Sequence, residues 1–168
     1  RLRAAHHAGV TRYTVPTLRE ALAVCKDRIV VNVDQGYEHY DLVLALTEEL
    51  GMTDQVLIKG KRSVAAVAAK LASHPHNMMY MPIVDILKPK GRALWEEYRR
   101  EGVVPLACEL CWNEPSPEVE TCAREIVAGG SKLWVNTMWP SLCGGEAAGM
   151  HDDYAFENGV EAYRKVLD

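Results

Sequence analysis

The feature that most constrains this sequence is a regular alternation of strand-like and helix-like segments. Five short apolar runs, rich in β-branched residues, are centred near Val31, Leu57, Tyr80, Ala107 and Val135, and a segment with helical apolar spacing follows most of them. Successive centres are 23 to 28 residues apart, which is the length of one strand, one helix and short loops. This alternation predicts a parallel sheet with right-handed helical crossovers.

Two parallel architectures compete, an open doubly wound sheet and a (β/α)8 barrel. A doubly wound nucleotide-binding sheet usually has a G-x-G-x-x-G turn after an early strand, and the sequence contains none. The segment Lys59–Ser63 resembles a phosphate loop only superficially, because Gln55 occupies the position of the required first glycine. A complete barrel needs about 250 residues, and the chain has 168. We therefore predict one α/β domain over residues 1–168, a partial TIM barrel of about five parallel strand–helix units.

The predicted elements have recognisable boundaries. Pro16 suits a first helical turn, or Thr17 caps the first helix with Glu20 three residues later. Gly51 ends the second helix. Strands are expected over 29–34, 55–59, 78–85, 104–112 and 132–138, and later helices over 40–50, 63–72, 91–100, 117–128 and 159–167. Residues 1–14 are expected to form an irregular surface segment.

Composition excludes several classes of protein. Apolar residues make up 48% and charged residues 25% of the chain, which is ordinary for a soluble globular domain. The formal net charge of −4 gives no basic excess for binding nucleic acid. An apolar run of about 18 residues is absent, so no membrane-spanning segment is predicted. Five cysteines, an odd number, are expected to be free structural thiols, and the compartment, cytoplasmic or extracytoplasmic, stays open.

Polar residues stand where the predicted strands end. These are Asp34, Lys59, Asp85, Glu109 and Asn136, with Trp112 and Trp139 close to the last two. Active sites of barrels lie at the carboxyl ends of the strands. Carboxylates, a lysine, an asparagine and aromatic rings at one rim suit a hard divalent cation and an anionic substrate.

The alternation of side chains along a strand indicates which of these candidates lie on the same face of the sheet. Asn32 and Asp34 share one face of an otherwise apolar strand, and Trp134 shares a face with Asn136. Asp34 is the favoured functional residue, with Asn32 expected to fix its orientation through a hydrogen bond. Asp85 is weaker, because a proline three residues earlier leaves the direction of its strand uncertain.

These residues carry a resemblance to the glycerophosphodiester phosphodiesterase family. Val15–Leu22 reads VPTLREAL, which is similar to that family's PTLeEvL segment, and Ile29–Asp34 follows where the family has a strand ending in a metal-binding acid. Tyr80–Val84 and Trp134–Thr137 are similar to later strands of its bacterial members. The resemblance covers essentially the whole chain and corresponds to strands three to seven of a TIM barrel.

The resemblance implies hydrolysis of a glycerophosphodiester to glycerol 3-phosphate and an alcohol, with Mg²⁺ or Ca²⁺ as cofactor. Asp34 would be the metal ligand. The family's lysine two positions later is replaced here by Gly36, and Lys59 is a plausible electrostatic substitute. Glu109, Trp134 and Asn136 complete the expected substrate-binding and phosphate-binding residues.

The sequence also departs from the family pattern. The HRG…PENT and HD segments, which carry the two catalytic histidines, precede the PTLeEvL helix in the family, and neither occurs in the fifteen residues before Pro16. No catalytic residue is therefore assigned, and the chain alone is expected to be inactive. The open edges of an incomplete barrel predict self-association.

Two other functions remain open. One is a non-catalytic half-barrel that serves in binding or assembly, and the other is an unrelated TIM-barrel lyase with Lys59 as a Schiff-base nucleophile. The spacing of Cys108 and Cys111 resembles a zinc knuckle, but residues three apart on a strand point to opposite faces. His151 and Asp152 repeat the HD dipeptide at a position where the family does not place it, and Asp152 or Asp153 is expected to cap the next helix.

Overall fold

The computed structural model describes residues 2–6, 9–159, 161 and 164. Seven strands occur in these residues: β1 (Arg3–His6), β2 (Gly9–Thr14), β3 (Val31–Val33), β4 (Val56–Gly60), β5 (Met79–Asp85), β6 (Ala107–Cys111) and β7 (Lys132–Val135). The helices of the same residues are α1 (Leu18–Cys25), α2 (Tyr40–Leu50), α3 (Val64–Leu71), α4 (Pro89–Arg100), α5 (Pro117–Ala128) and α6 (Asp152–Asn158). The predicted alternation of strands and helices is confirmed.

Strands β3 to β7 form one parallel sheet in sequential order, curled into a half-barrel with helices between the strands. Every sheet neighbour is also the neighbour in sequence, which is the barrel pattern and not that of a doubly wound sheet, where the strand order reverses. The predicted partial TIM-barrel arrangement is confirmed. Strands β3 and β7 are the two edges of this sheet.

The two faces of the half-barrel differ in how they are covered. The outer face carries the main apolar core, in which Ile58, Val84 and Leu110 from successive strands pack with helix residues such as Leu44 and Ile126. On the inner face the buried apolar cluster of the described residues is small and consists of Leu57, Met81 and Ala107, with Met79 packed against it. Alternation along each strand explains the division, because Leu57 and Ile58 point to opposite faces.

Most predicted boundaries agree with the structure. The helices over 40–50 and 117–128 match α2 and α5 to the residue. Thr17 is the N-cap of α1 in a complete capping box with Glu20, and Gly51 ends α2 in the left-handed conformation, with φ of 63°. The first and last strands of the sheet are shorter than predicted, because the flanking Ile29 and Val30 before β3, and residues after Val135, lie outside the hydrogen-bonded ladder.

The amino-terminal segment differs from the prediction. Residues 1–14 were expected to be irregular, but β1 and β2 pair as an antiparallel hairpin on the surface. The two strands carry mostly exposed side chains, so they lack the apolar alternation by which half-buried strands are recognised. The pairing rests on backbone hydrogen bonds and on contacts such as the Thr11 hydroxyl donating to the carbonyl of Ala4 at 2.8 Å.

Pro82 lies inside β5 without breaking the strand. The residues from Met79 to Pro82 pair with β4, and the residues from Ile83 to Asp85 pair with β6. The proline therefore stands where the pairing passes from one neighbour to the other, and its missing N–H is tolerated there. Asp85 is consequently a true strand-end residue, and its carboxylate forms an ion pair with Lys88 at 2.6 Å.

The end of the chain corrects one expectation about capping. His151, rather than Asp152 or Asp153, is the N-cap of α6, because its Nδ1 accepts a hydrogen bond from the backbone N–H of Tyr154 at 3.3 Å. Asp152 instead accepts a hydrogen bond from the hydroxyl of Thr137 at 2.7 Å. The helix predicted over 159–167 falls largely outside the described residues.

All five cysteines are free thiols, and four of them are buried. Of the helices in the described part of the chain, none combines the length and apolar character needed to cross a bilayer.

Candidate functional site

An ion-paired triad occupies the inner face near the carboxyl ends of the strands. The Lys59 ammonium lies 2.9 Å from Oε2 of Glu109 and 3.5 Å from Oδ1 of Asp34. The side chains of Lys59 and Glu109 are 10% and 3% exposed, whereas that of Asp34 is 70% exposed. We call Asp34, Lys59 and Glu109 the rim triad. Three residues from separate strand–helix units thus meet, as the sequence predicts.

Strand alternation places the triad. Lys59 follows Leu57 on the inner face of β4, and Glu109 follows Ala107 on the inner face of β6. Strand β5 lies between them, so the Lys59 side chain reaches across it to Glu109. Asp34 comes directly after β3, the strand next to β4. The sheet therefore brings together residues that are 25 and 50 positions apart in the sequence.

The positive and negative charges of the rim triad do not cancel. Two carboxylates and one ammonium leave one net negative charge. Burial lowers the pKa of Lys59, but its close ion pair with Glu109 and the charge of Asp34 raise it by more, so the pKa of Lys59 lies above its usual value. Lys59 is therefore a fixed cation at neutral pH.

The loop after β4 is held by a tyrosine on the neighbouring strand. The hydroxyl of Tyr80 donates a hydrogen bond to the carbonyl of Gly60 at 2.7 Å and accepts one from the backbone N–H of Arg62 at 3.3 Å. Burial raises the pKa of Tyr80 well above its usual value, so this hydroxyl keeps its proton. The loop that follows Lys59 is thus fixed by a buried, neutral group.

The triad opens into a cleft of about 360 Å³, which we call the triad cleft. Its lining comes from the segments after β3 and β4 and from β5: Asp34, Gln35, Glu38, Lys59, Gly60, Lys61, Arg62 and Ile83. Arg62 is paired with Glu38 across the cleft wall. The volume lies within the range of small-ligand pockets.

Gly36 explains why the segment after Asp34 carries no lysine. A Cβ at this position would lie 2.6 Å from Cγ2 of Ile58 and 2.7 Å from the carbonyl oxygen of Val33. The turn after β3 therefore packs so closely on the sheet that no side chain fits. The ammonium near Asp34 is that of Lys59, at 3.5 Å.

The remaining predicted site residues are less tightly connected to the triad. Trp134 is in register with Glu109 on the adjacent strand and is 41% exposed, so its ring extends the same face. The Oδ1 of Asn136 accepts a hydrogen bond from the N–H of Met138 in a local turn. The expected hydrogen bond from the Asn32 amide to Asp34 does not occur among the described residues, and Oδ1 of Asn32 is in addition buried without a hydrogen-bond partner there.

Sequence reasoning missed other residues at this site. Cys111 is buried, and its thiol lies 3.9 Å from Oε1 of Glu109, so Glu109 is approached by Lys59 on one oxygen and by a thiol on the other. Burial raises the pKa of Cys111 to about 12, which keeps the thiol protonated. Lys61 and Arg62 line the cleft. The basic run after the second predicted strand is the available signal in the sequence, although it does not match the Walker pattern.

The donor set of the triad sets limits on a metal site. Within the described residues no group of three or more histidine, cysteine and acidic side chains is positioned to enclose a metal ion. Mg²⁺ usually binds through one or two carboxylates, several waters and substrate phosphate. The exposed carboxylate of Asp34 fits that open type of site, because it can exchange water for a cation without the loss of a buried contact.

Comparisons with known proteins give a family. A search of curated proteins finds no match for the sequence. The model of the family DUF4996, described as a domain of unknown function, matches residues 80–168. This region contains β5 to β7, including Glu109 and Trp134, and spans more than half of the chain. The chain therefore belongs to the DUF4996 family.

Proposed function

We propose that the rim triad binds a divalent cation and the phosphate of a glycerophosphodiester, and that it forms one wall of a metal-dependent phosphodiesterase site. The observation that carries the proposal is the position of the Lys59 ammonium between Glu109 and Asp34 at the carboxyl end of the sheet. The resemblance of the sequence to glycerophosphodiester phosphodiesterases supports the same assignment, with Asp34 as ligand of Mg²⁺ or Ca²⁺.

Each triad member has its own role in this proposal. Asp34 holds the cation through its exposed carboxylate. Lys59 donates hydrogen bonds to a non-bridging phosphate oxygen, and Glu109 fixes the direction of the Lys59 side chain. A divalent cation at this position would neutralise phosphate charge and orient the attacking group. Trp134 and Asn136 lie at the edge of the site, where they would contact the rest of the substrate.

The net charge of the triad predicts an order of binding. A phosphate meets one net negative charge before the cation binds and one net positive charge afterwards. Phosphate binding at Lys59 should therefore depend on the cation. Replacing Asp34 by Asn removes the cation ligand and also one negative charge, so that residual phosphate binding becomes independent of the cation.

The ionisation of Lys59 argues against a lyase. A Schiff-base lysine needs a neutral amine and therefore a lowered pKa. Lys59 has a raised pKa because it is paired with two carboxylates. Borohydride trapping with a keto substrate is accordingly expected to leave the protein unlabelled, and labelling at Lys59 would favour the lyase instead.

Titration calorimetry with glycerol 3-phosphate, with and without Mg²⁺ or Ca²⁺, tests the proposed function. Wild-type protein is expected to bind the ligand at least about tenfold more tightly with the cation. Asp34→Asn should abolish that difference, and Lys59→Met should weaken binding under both conditions. Asp41→Asn is the matched control, because Asp41 is equally exposed and also paired with a lysine. A cation effect that persists in Asp34→Asn contradicts the assignment.

The exposed edges of the sheet favour a second candidate, an assembly module that associates with a second copy of this chain. Ile29 and Val30 beside β3 are 58% and 57% exposed, and Trp139 beyond β7 is 57% exposed. Exposed apolar groups beside edge strands promote association. Analytical ultracentrifugation over a concentration series should show self-association, and a monodisperse monomer that binds neither cation nor phosphate would count against both candidates.

A further inference from the structure

We propose that a second cleft beside the rim triad binds another anionic group of the same ligand, a carboxylate or a second phosphate. The cleft has a volume of about 250 Å³ and lies between the end of β5 and the start of α4. Lys61, Lys88 and Lys90 supply its cations, and we call it the lysine cleft. The inference deepens the proposed function, because it assumes that the first phosphate lies at Lys59.

The two clefts are adjacent. Lys61 and Ile83 line both of them, so a ligand in the triad cleft can extend past Ile83 into the lysine cleft. A single small molecule with two anionic groups can therefore contact Lys59 with one group and Lys61 with the other.

The charges of the lysine cleft are not balanced by the protein. Asp85 is the acidic residue of its lining, and it is already paired with Lys88 at 2.6 Å. Among the residues that the structure describes, neither Lys61 nor Lys90 forms an ion pair. An anion bound in this cleft can therefore pair with two ammonium groups that no acidic side chain of the described residues neutralises.

The position of these lysines contrasts with the rest of the chain. The protein carries a net charge of −4, yet two short segments, Lys59–Arg62 and Lys88–Arg92, hold six of its 19 basic residues. The two segments lie at the carboxyl ends of the neighbouring strands β4 and β5. Four of these six are ion-paired with carboxylates, which leaves Lys61 and Lys90 as the local positive charges of the lysine cleft. Two such charges on a negatively charged protein favour a small anionic ligand over nucleic acid.

The close approach of α4 to β5 gives the cleft a rigid wall. A Cβ at Gly91 would lie 2.0 Å from the carbonyl oxygen of Asp85, so the first turn of α4 rests directly on the end of the strand. Lys88 and Lys90 precede Gly91 in this fixed turn. The backbone that carries two of the three lysines is thus held in place before a ligand binds.

Two ligands that differ by one carboxylate test the inference. With Mg²⁺ present, wild-type protein is expected to bind 3-phosphoglycerate about tenfold more tightly than glycerol 3-phosphate in titration calorimetry. The variant Lys61→Ala/Lys90→Ala should bind both ligands equally. Lys26→Ala/Lys132→Ala is the control, because it removes the same charge outside both clefts and should keep the preference. Equal affinities in wild type, or a preference that survives in Lys61→Ala/Lys90→Ala, overturn the inference.

A cation-free titration with inorganic phosphate separates this inference from the proposed function. Phosphate should bind to wild type and to Asp34→Asn, and it should bind about tenfold more weakly to Lys61→Ala/Lys90→Ala. Loss of phosphate binding in Lys59→Met together with full binding in Lys61→Ala/Lys90→Ala would place the anion at the triad alone and overturn the inference. Failure of the proposed function has a different signature, the absence of cation-dependent binding of glycerol 3-phosphate.

Discussion

The outer and inner faces of the half-barrel use the same strands for opposite purposes. On the outer face, Ile58, Val84 and Leu110 are fully buried in a continuous apolar core under the helices. On the inner face, the apolar cluster ends after three buried residues, and a lysine and a glutamate are buried directly above it. Along β4 and β6, successive residues therefore alternate between the packed apolar core on the outer face and the charged site on the inner face.

This difference shows which side chains stability alone can explain. Burying apolar surface on the outer face stabilises the fold by about 25 cal/mol per Å². Burying the ion pair on the inner face costs desolvation energy that a single close contact rarely recovers, and an apolar pair of similar volume is often as stable or more stable. Stability alone therefore does not explain the Lys59–Glu109 pair, whereas the proposed binding role would.

The largest expected effect comes from the outer face. Leu110→Ala removes a fully buried side chain from the middle of β6 and should lower the free energy of unfolding by about 2–5 kcal/mol, because transfer energy is lost and a cavity remains. Urea denaturation followed by circular dichroism measures it. Anion affinity of the folded fraction should be unchanged. A loss below about 1 kcal/mol would show that the outer core is loosely packed.

On the inner face, breaking the ion pair should cost less than the core variant. Glu109→Gln leaves Lys59 with Asp34 as its remaining charged partner, so we expect a loss of about 2 kcal/mol in the free energy of unfolding. The same urea titration measures this loss.

The double variant Lys59→Met/Glu109→Leu sharpens the comparison. It should restore wild-type stability or exceed it, and it should abolish binding of glycerol 3-phosphate. A double variant less stable than Glu109→Gln would instead make the ion pair a structural element of the fold.

Alkaline pH should weaken the fold through the buried thiols of both faces. Burial raises the pKa of Cys122 on the outer face, and of Cys111 on the inner face, to about 12, from 9.0 for an ordinary thiol. The unfolded chain therefore loses these protons first, and stability is lost as pH rises above about 9, by up to about 1.4 kcal/mol per pH unit for each thiol. Urea midpoints between pH 8 and 11 should fall less steeply for Cys122→Ala and for Cys111→Ala. An unchanged slope in both variants would contradict a contribution from these thiols.

The sequence was more informative about the sheet than about the inner face. Periodicity located β4 and β6 because apolar runs on a covered sheet leave a clear pattern. It also placed Asp34, Lys59 and Glu109 at one rim, since parallel strands end together. It could not show that Asn136 folds into its own turn, or that Asn32 lacks a partner, because these depend on side-chain geometry across strands. The sequence did not predict the hairpin of β1 and β2, because backbone hydrogen bonds hold its strands together and their side chains lack the apolar alternation of a half-buried strand.

The smallest expected effect is that of replacing Asn32. Whether the replacement raises or lowers the free energy of unfolding tests the contrast between the two faces. Val31 and Val33 pack against the outer core, so Asn32 points to the inner face, where its Oδ1 is buried without a hydrogen-bond partner among the described residues. An unsatisfied buried amide costs free energy, so Asn32→Val should raise the free energy of unfolding by up to about 1 kcal/mol. Urea denaturation measures the gain, and Thr47→Val is the control on the outer side, because the buried hydroxyl of Thr47 already donates to the carbonyl of Leu44 at 2.9 Å. If Asn32→Val stabilises the protein while it weakens glycerol 3-phosphate binding, the polar inner face is maintained for its ligand. If Asn32→Val destabilises the protein, the amide has a structural role, and the contrast between the two faces does not extend to β3.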